Sequence, residues 1–486
     1  MKHISLLLFL LPARVVFAQP FTESLQFPPL TGVDYGSVAF ADVDGDNDED
    51  MLITGSIFPG GISKLYINDG EGMFTEVLGT PFEGVWSSAI AFADVNGDND
   101  QDVLITGKHP SRISKLYTND GTGTYTEVEG TPFDGVEGGA IAFADIDGDN
   151  DQDVLITGSN NSNTPIAKLY INNGLGVYTE LAETPFEGVW YSSIAFADVD
   201  GDNDQDVLIT GRSGITNLGA RISSLYINNG TGIFTEITPS PFEGVAVSSI
   251  AFADVDGDSD QDVLITGVND SFARVSKLYT NDGTGIFTEI TPSPFEGVAG
   301  SSIAFADVDG DDDQDVLITG LNESSARVSK LYTNDGTGIF TEITPSPFEG
   351  VAGSSIAFAD VDGDNDKDVL ITGLNESTSR VSKLYTNNGT ISLSDDILRG
   401  ISSASVLFPN PVIHSTLFID YNSPVMGKVI ISIYNVIGHL LIQQTEHAIN
   451  GKQTYSVDLT SLPQGNYFLE LNNGKKREVI NFTKQQ

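Results

Sequence analysis

One motif recurs seven times in this chain and fixes most of what it can fold into. The first copy reads Asp42-Val43-Asp44-Gly45-Asp46-Asn47-Asp48-Glu49-Asp50 and runs directly into Met51-Leu52-Ile53-Thr54-Gly55. Further copies begin at Asp94, Asp145, Asp198, Asp254, Asp307 and Asp360, so successive starts lie 52, 51, 53, 56, 53 and 53 residues apart. A period of about 50 residues belongs to solenoids and propellers, where one supersecondary unit packs on its own copies. The unit from Ser301 holds four strand-like runs: Ser302 to Asp307, Asp315 to Thr319, Ser329 to Thr333 and Ile339 to Ile343. Turns such as Asn334-Asp335-Gly336 separate β-branched and aromatic residues, which favours strands over helices. Four antiparallel strands in each of seven units predict an all-β chain built around a seven-bladed β-propeller. The chain ends point to closure. The seventh unit stops after Leu384-Tyr385-Thr386-Asn387-Asn388-Gly389, without a fourth strand, while Phe21-Thr22-Glu23 aligns with Phe340-Thr341-Glu342. Residues 21 to 25 are therefore expected to supply the outer strand of the seventh blade and to cover an open sheet edge.

The ladder itself reads as a metal loop. Carboxylates this dense repel one another unless a cation sits among them, and oxygen donors without Cys or His select calcium over softer metals. Side-chain oxygens recur at positions 1, 3, 5 and 9. In the first unit these are Asp42, Asp44, Asp46 and Asp50, and in the second Asp94, Asn96, Asp98 and Asp102. The third offers Asp145, Asp147, Asp149 and Asp153, and the fourth Asp198, Asp200, Asp202 and Asp206. The fifth offers Asp254, Asp256, Asp258 and Asp262, the sixth Asp307, Asp309, Asp311 and Asp315, and the seventh Asp360, Asp362, Asp364 and Asp368. Up to seven Ca2+ are thus expected, with position 7 lending a backbone carbonyl and Gly at position 4 permitting the bend. An EF-hand needs an acidic residue at position 12, whereas every copy has Ile there, Ile53 and Ile105 among them. The loop therefore leads into a strand. Asn96 keeps an oxygen but loses a charge, and Ser259 at position 6 tolerates left-handed backbone less readily than the Asn or Asp of the other copies.

Charge and composition narrow the partners. With 23 Lys and Arg against 68 Asp and Glu, the net charge is −45, and 36 of the acidic residues lie in the ladders. That balance excludes nucleic acid and anionic membrane as expected partners. Lys2, the apolar run Ile4 to Leu11 and Val16-Phe17-Ala18 read as a signal peptide over residues 1–18, and no segment is long and apolar enough to span a bilayer. There is no Cys, so metals rather than disulfides are expected to stiffen an exported chain.

The units differ in the loop between second and third strands (Ser56 to Ser63, Lys108 to Ser114 and Arg212 to Ser223 in units one, two and four) and at a register eight and seven residues before each ladder. It reads Asp34-Tyr35, Trp86-Ser87, Glu137-Gly138, Trp190-Tyr191, Ala246-Val247, Ala299-Gly300 and Ala352-Gly353. Aromatic and acidic residues near a propeller mouth suit sugar stacking or a peptide anchor, so Asp34, Tyr35, Trp86, Glu137, Trp190 and Tyr191 form a candidate ligand site over units one to four. Packing of the Trp rings between blades is the alternative. No Ser-His-Asp or Cys-based constellation is present, and no catalytic residues are assigned. A carboxylate pair such as Glu137 with Asp34 across the mouth would serve a glycosidase, and calcium-dependent polysaccharide lyase chemistry is a further alternative. A purely structural surface protein is a third reading, favoured by the near-identity of units five to seven.

The D-x-D-G-D-x-x-x-D loop, its apolar strand and the following L-Y-x-N-x-G-x-G-x-F resemble the FG-GAP/VCBS repeats found in the integrin α-subunit head. The resemblance covers about residues 21 to 390. It implies a calcium-binding propeller over 19–391, the aspartates above as ligands, and partner binding on the face opposite the metal loops. Residues 392–404 read as a linker. Beyond it, Pro409-Asn410-Pro411, Ile433-Tyr434-Asn435, Leu462-Pro463-Gln464-Gly465-Asn466-Tyr467 and a basic end resemble the C-terminal sorting domain of type IX secretion in Bacteroidota, over residues 405–486. Strand alternation there predicts a small β-sandwich. The resemblance implies passage through the type IX machinery from periplasm to outer surface or medium. A secreted or cell-surface adhesion module for an extracellular glycan or protein is the expected function.

Overall fold

The structure, a computed structural model, describes residues 21–387 apart from 27 and 215–218, and much of 406–485. The expected leader at 1–18 and linker at 392–404 lie outside the described residues. Contacts divide the chain into two compact units, residues 20–389 and the C-terminal part. Every regular element among the described residues is a strand, so no helix is long and apolar enough to cross a membrane.

The first part is a succession of four-stranded antiparallel meanders. Unit six is representative: Val298–Ala306 pairs with Asp315–Asn322, which pairs with Arg327–Thr333, which pairs with Thr341–Glu342. The second strand is buried from Asp315 to Gly320, because Val316, Leu317, Ile318 and Thr319 are covered on both faces. Its apolar run therefore does not alternate. The third strand is covered on both faces toward its end, where the adjacent Leu331 and Tyr332 are buried in different junctions, while Lys330 is only half-buried. The fourth strand is shorter than the sequence suggests, two residues in most units, and the first reaches further toward the preceding link.

The apolar core sits between units, not inside them. Ala41, Val43, Leu52 and Leu65 of unit one pack with Phe82, Val85, Ile90, Val103 and Tyr117 of unit two. Corresponding clusters occupy each later junction, and one joins Val361, Leu370 and Leu384 of unit seven to Val38, Met51 and Ile53 of unit one. In six links among the described residues a Phe packs against the next unit's Tyr, as Phe82 does on Tyr117 with ring centroids 5.0 Å apart. First strands touch from unit to unit and return from Val351–Ala359 to Val38–Ala41. Phe21–Ser24 pairs antiparallel with Leu384 to Asn387, the place expected from the aligned chain ends.

The C-terminal part has two antiparallel sheets. One holds Val406–Phe408, Thr416–Ser423 and Gly451–Asp458; the other holds Leu440–Ala448, Gly427–Asn435, Gly465–Asn472 and Arg477–Lys484. Leu417, Ile419 and Val457 of the first sheet share one core with Val429, Ile431, Leu469 and Phe482 of the second.

Phe21 is buried and its ring lies 4.9 Å from that of Phe348. Phe21→Ala should lower stability by about 3 kcal/mol, the usual cost of emptying a buried aromatic site. Urea denaturation with calcium present measures it, and an unchanged midpoint would contradict the role of the N-terminal strand in completing unit seven.

Candidate metal centres and the mouth of the array

Each ladder folds into the same turn. In unit one, Asp42 at position 1 accepts the Gly45 N–H at 2.8 Å on one oxygen and the Asn47 N–H at 2.9 Å on the other. Gly45 and Asn47 both lie at positive φ, 78° and 71°, which curls the backbone around the first carboxylate. Ser259 takes the same conformation, φ 75°, and donates to Asp254 at 2.9 Å, so the fifth loop has the geometry of the others. Asp46 at position 5 accepts the Asp48 N–H at 3.0 Å and lies toward solvent.

The carboxylate at position 9 is the innermost. Asp50 accepts the Val43 N–H at 3.0 Å and the Asn68 N–H at 2.8 Å, and its counterparts Asp102, Asp153, Asp206, Asp262, Asp315 and Asp368 are equally buried. Burial raises these carboxyls despite the two N–H donors, Asp50, Asp153, Asp206, Asp315 and Asp368 to about 7 and Asp102 and Asp262 to about 6. At position 3, burial and the neighbouring charge of Asp46 raise Asp44 as well. The Oδ1 atoms of Asp44, Asp147, Asp200, Asp256 and Asp362 are buried and accept no hydrogen bond.

These oxygens converge. In unit one, one oxygen each of Asp42, Asp44 and Asp50 lie within 4.8 Å of one another, and the same holds at positions 1, 3 and 9 of units three, four and five. Unit two departs from this. There Asp94, Asp98 and Asp102 form the carboxylate group, since position 3 is Asn96, whose Oδ1 accepts the Asp98 N–H at 3.0 Å. Three carboxylates with oxygens gathered within 4.8 Å, one of them bearing a buried oxygen without a donor, form a donor set that fits a hard divalent cation.

Sequence reasoning missed the residue that ties these loops together. The Asn ending each L-Y-x-N run gives its N–H to the position-9 carboxylate of its own unit. Its Nδ2 donates to a ladder carbonyl of the preceding unit: Asn119 to Val43 at 2.7 Å, Asn172 to Val95, Asn228 to Ile146, Asn281 to Val199, Asn334 to Val255 and Asn387 to Val308. Asn68 of unit one reaches Val361 of unit seven at 2.8 Å. The signal was present as an Asn repeated in all seven copies.

The opposite end holds the variable register. Its second residue is left-handed in every unit, from Tyr35 at φ 48° to Gly138 at 59°. These residues bond head to tail: Tyr35 N–H to Gly353 O at 2.8 Å, Ser87 to Tyr35 at 2.7 Å, Gly138 to Ser87 at 2.9 Å and Tyr191 to Gly138 at 2.6 Å. They rim a funnel of ≈ 190 Å³ that also receives Ser88, Ser192, Ser248 and Ser301. Tyr35 and Tyr191 stand at it with 59% and 44% exposure.

The other four candidates do not line that funnel. Asp34 is buried and bonded to Arg380 Nε at 2.7 Å. Glu137 accepts from Arg112 Nη2 at 2.6 Å and lies 3.5 Å from Lys108 Nζ. Trp86 lies under Lys108, and Trp190 stacks on Tyr191 at 4.5 Å while Arg212 covers it. Asp34 and Glu137 are thus ion-paired to different arginines instead of facing each other.

The FG-GAP-like repeat matches residues 94–156, 145–209, 215–265, 260–318 and 315–371, more than half of the chain. The chain belongs to the FG-GAP-like repeat family. The first FG-GAP unit, outside the matched span, carries the same ladder and the same hydrogen bonds. Residues 406–485 match the secretion system C-terminal sorting domain, which directs Bacteroidota-type export through the type IX machinery to the outer surface or the medium. No curated protein matches the chain. Among solved structures, AofleA of Arthrobotrys oligospora is 12% identical over 64% of this chain and 87% of its own, with a TM-score of 0.38. A six-bladed β-propeller lectin of Aleuria aurantia is 10% identical over 65% of this chain and all of its own, with a TM-score of 0.37. Latent PorU of Porphyromonas gingivalis is 13% identical over 82% of this chain and 34% of its own, with a TM-score of 0.14. Similarity at that level carries no argument about function.

The raised position-9 carboxyls of the FG-GAP loops set a pH dependence. They titrate at about 6 to 7 in the native state and near 3.9 in an unfolded chain. Between those limits the native state holds more protons, so stability of the metal-free chain falls as pH rises through that range. In EDTA, the thermal midpoint should be higher at pH 5.5 than at pH 7.5, and saturating calcium should remove that trend. A chelated midpoint that is flat or rises with pH would contradict this.

Proposed function

We propose that this chain is a secreted, seven-bladed propeller held by calcium that acts as a non-enzymatic adhesion or ligand-binding module for an extracellular glycan or protein. Cyclic contact between first strands, the seven inter-unit clusters and the shared seventh unit support the closed ring. The convergent Asp oxygens support calcium, which position 1, 3 and 9 carboxylates would hold and position 5 would complete. Bound there, the ion supplies charge neutralisation, and the chain's own work is to hold the loops in register.

The observation that carries the binding role is the mouth. Two tyrosine rings stand exposed on a rigid level of backbone hydrogen bonds, above a funnel of serine hydroxyls. An exposed aromatic face beside hydroxyls is the chemistry that docks a sugar ring or a peptide anchor. Glu137 and Asp34 are engaged by arginines, which argues for a positioning role over acid–base work.

A glycan and protein binding screen of the full chain, with calcium and with chelator, tests the proposal. Binding should be saturable and lost on chelation. Replacing Tyr35 and Tyr191 together by Ala should abolish binding and leave the melting temperature nearly unchanged, since both rings are solvent-exposed. Retained binding with a large fall in melting temperature would assign the rings to packing.

A further inference from the structure

Five units start their third strand with an arginine, Arg112, Arg221, Arg274, Arg327 and Arg380, and its surroundings differ among them. Arg112 of unit two bonds Glu137 of unit three through Nε and Nη2, at 2.9 and 2.6 Å. Arg380 of unit seven bonds Asp34 of unit one at 2.7 Å. In both cases the acid stands at the variable register of the next unit. Arg274 and Arg327 occupy the same place in units five and six, but the next units offer Ala299 and Ala352 there. Arg221 of unit four also faces an alanine register, and it has a substitute partner in Asp270 at 3.2 Å.

Arg274 and Arg327 have no such substitute. Arg274 donates from Nη1 to the Asn322 carbonyl at 2.6 Å and approaches the Ser325 hydroxyl at 3.5 Å. The Arg327 Nε is buried with no acceptor. Glu323 and Glu376 lie nearby, but their carboxylates accept the backbone N–H groups of Arg274 and Arg327. Among the described residues, neither guanidinium has an ion-pair partner, in a chain whose net charge is −45.

The small residues that leave these arginines without acids also leave space. A concavity of ≈ 220 Å³ opens over units five to seven, walled by Leu321, Leu374, Ala299, Ala352, Arg274 and Arg327. Tyr35 closes one end, its ring 3.3 Å from the position a Cβ on Gly353 would take. The walls are hydrocarbon and the two donors are cationic forks, a geometry suited to carboxylates.

We propose that this cleft receives an acidic peptide segment of a partner protein. Its carboxylates take the places on Arg274 and Arg327 that Glu137 and Asp34 fill on Arg112 and Arg380, and an aliphatic side chain lies against Leu321 and Leu374. A uronic acid fits less well, because its hydroxyls would be buried against leucine and alanine without partners. The inference rests on the reading of the mouth face as a binding surface, and it names the ligand class for one sector of that face.

Fluorescence anisotropy with the full chain in calcium tests it. The probes are a labelled peptide of alternating Glu and Leu and its Gln–Leu counterpart, with polygalacturonate as competitor. The Glu–Leu peptide should bind saturably, the Gln–Leu peptide should not, and polygalacturonate should not compete. Arg274→Gln with Arg327→Gln should weaken binding by at least about tenfold, the effect of removing both charge partners. Ala299→Glu with Ala352→Glu, which builds the missing acids into the chain, should block the peptide and keep the fold intact. Absence of binding by the Glu–Leu peptide, or binding to both double variants as tight as to the unsubstituted chain, overturns the proposal. Arginine-dependent competition by polygalacturonate overturns it in favour of a glycan. In each of those cases a screen hit that depends on Tyr35 and Tyr191 leaves the broader binding role standing, whereas a screen without any ligand removes that role itself.

Discussion

The structure depends on a buried carboxylate repeated seven times. Asp50 and its counterparts are closed off from water, and each accepts one N–H from its own ladder and one from the Asn that ends the third strand. Two neutral donors do not offset the cost of burying an anion, which is why burial drives these carboxyls upward. The aspartates at positions 1 and 3 bring further negative charge to the same point. Such a site is stable as an anion only with a cation in it. The proposed calcium ions follow from that imbalance, independently of any resemblance.

The same carboxylate links local chemistry to the whole array. The Asn that donates to it also bonds a carbonyl in the preceding unit's ladder, and the seven bonds run from unit to unit and back to the start. Since the apolar clusters also lie between units, no unit has a core of its own. Stability of this kind is a sum over neighbouring interfaces, and a missing end would leave one interface exposed. The N-terminal strand pairing with the last unit answers that problem with four residues. At the mouth, backbone bonds between left-handed residues set a fixed level on which units can vary their side chains without disturbing the strands behind it.

Much of this was legible in the sequence. The strand sequence of a unit, the turning role of Gly at position 4 and the sharing of unit seven follow from periodicity and turn chemistry, which act over a few residues. The second strand's unbroken apolar run, Val316 to Ile318, could be read as a doubly covered strand for the same reason. Contacts across units were harder. Nothing in a linear pattern says that Asn119 reaches Val43, or that Glu137 answers Arg112 and not Asp34. The six aromatic and acidic residues at one register looked like one site. The register alternates in direction, so Tyr35 and Tyr191 face the funnel while Asp34 and Glu137 go to arginines at the unit junctions. The cleft over units five to seven was invisible because it arises from what those units lack.

Scanning calorimetry of the purified chain in saturating calcium and in excess EDTA, with metal analysis of both samples, tests the central claim most directly. A site that is filled at a hundred times its dissociation constant adds about 2.7 kcal/mol to the native state, and seven such sites add a large multiple of that. The account predicts a transition shifted strongly downward on chelation, together with several calcium ions per chain in the loaded sample. A chain shown to be metal-free that melts at the same temperature as the calcium-treated one would contradict it.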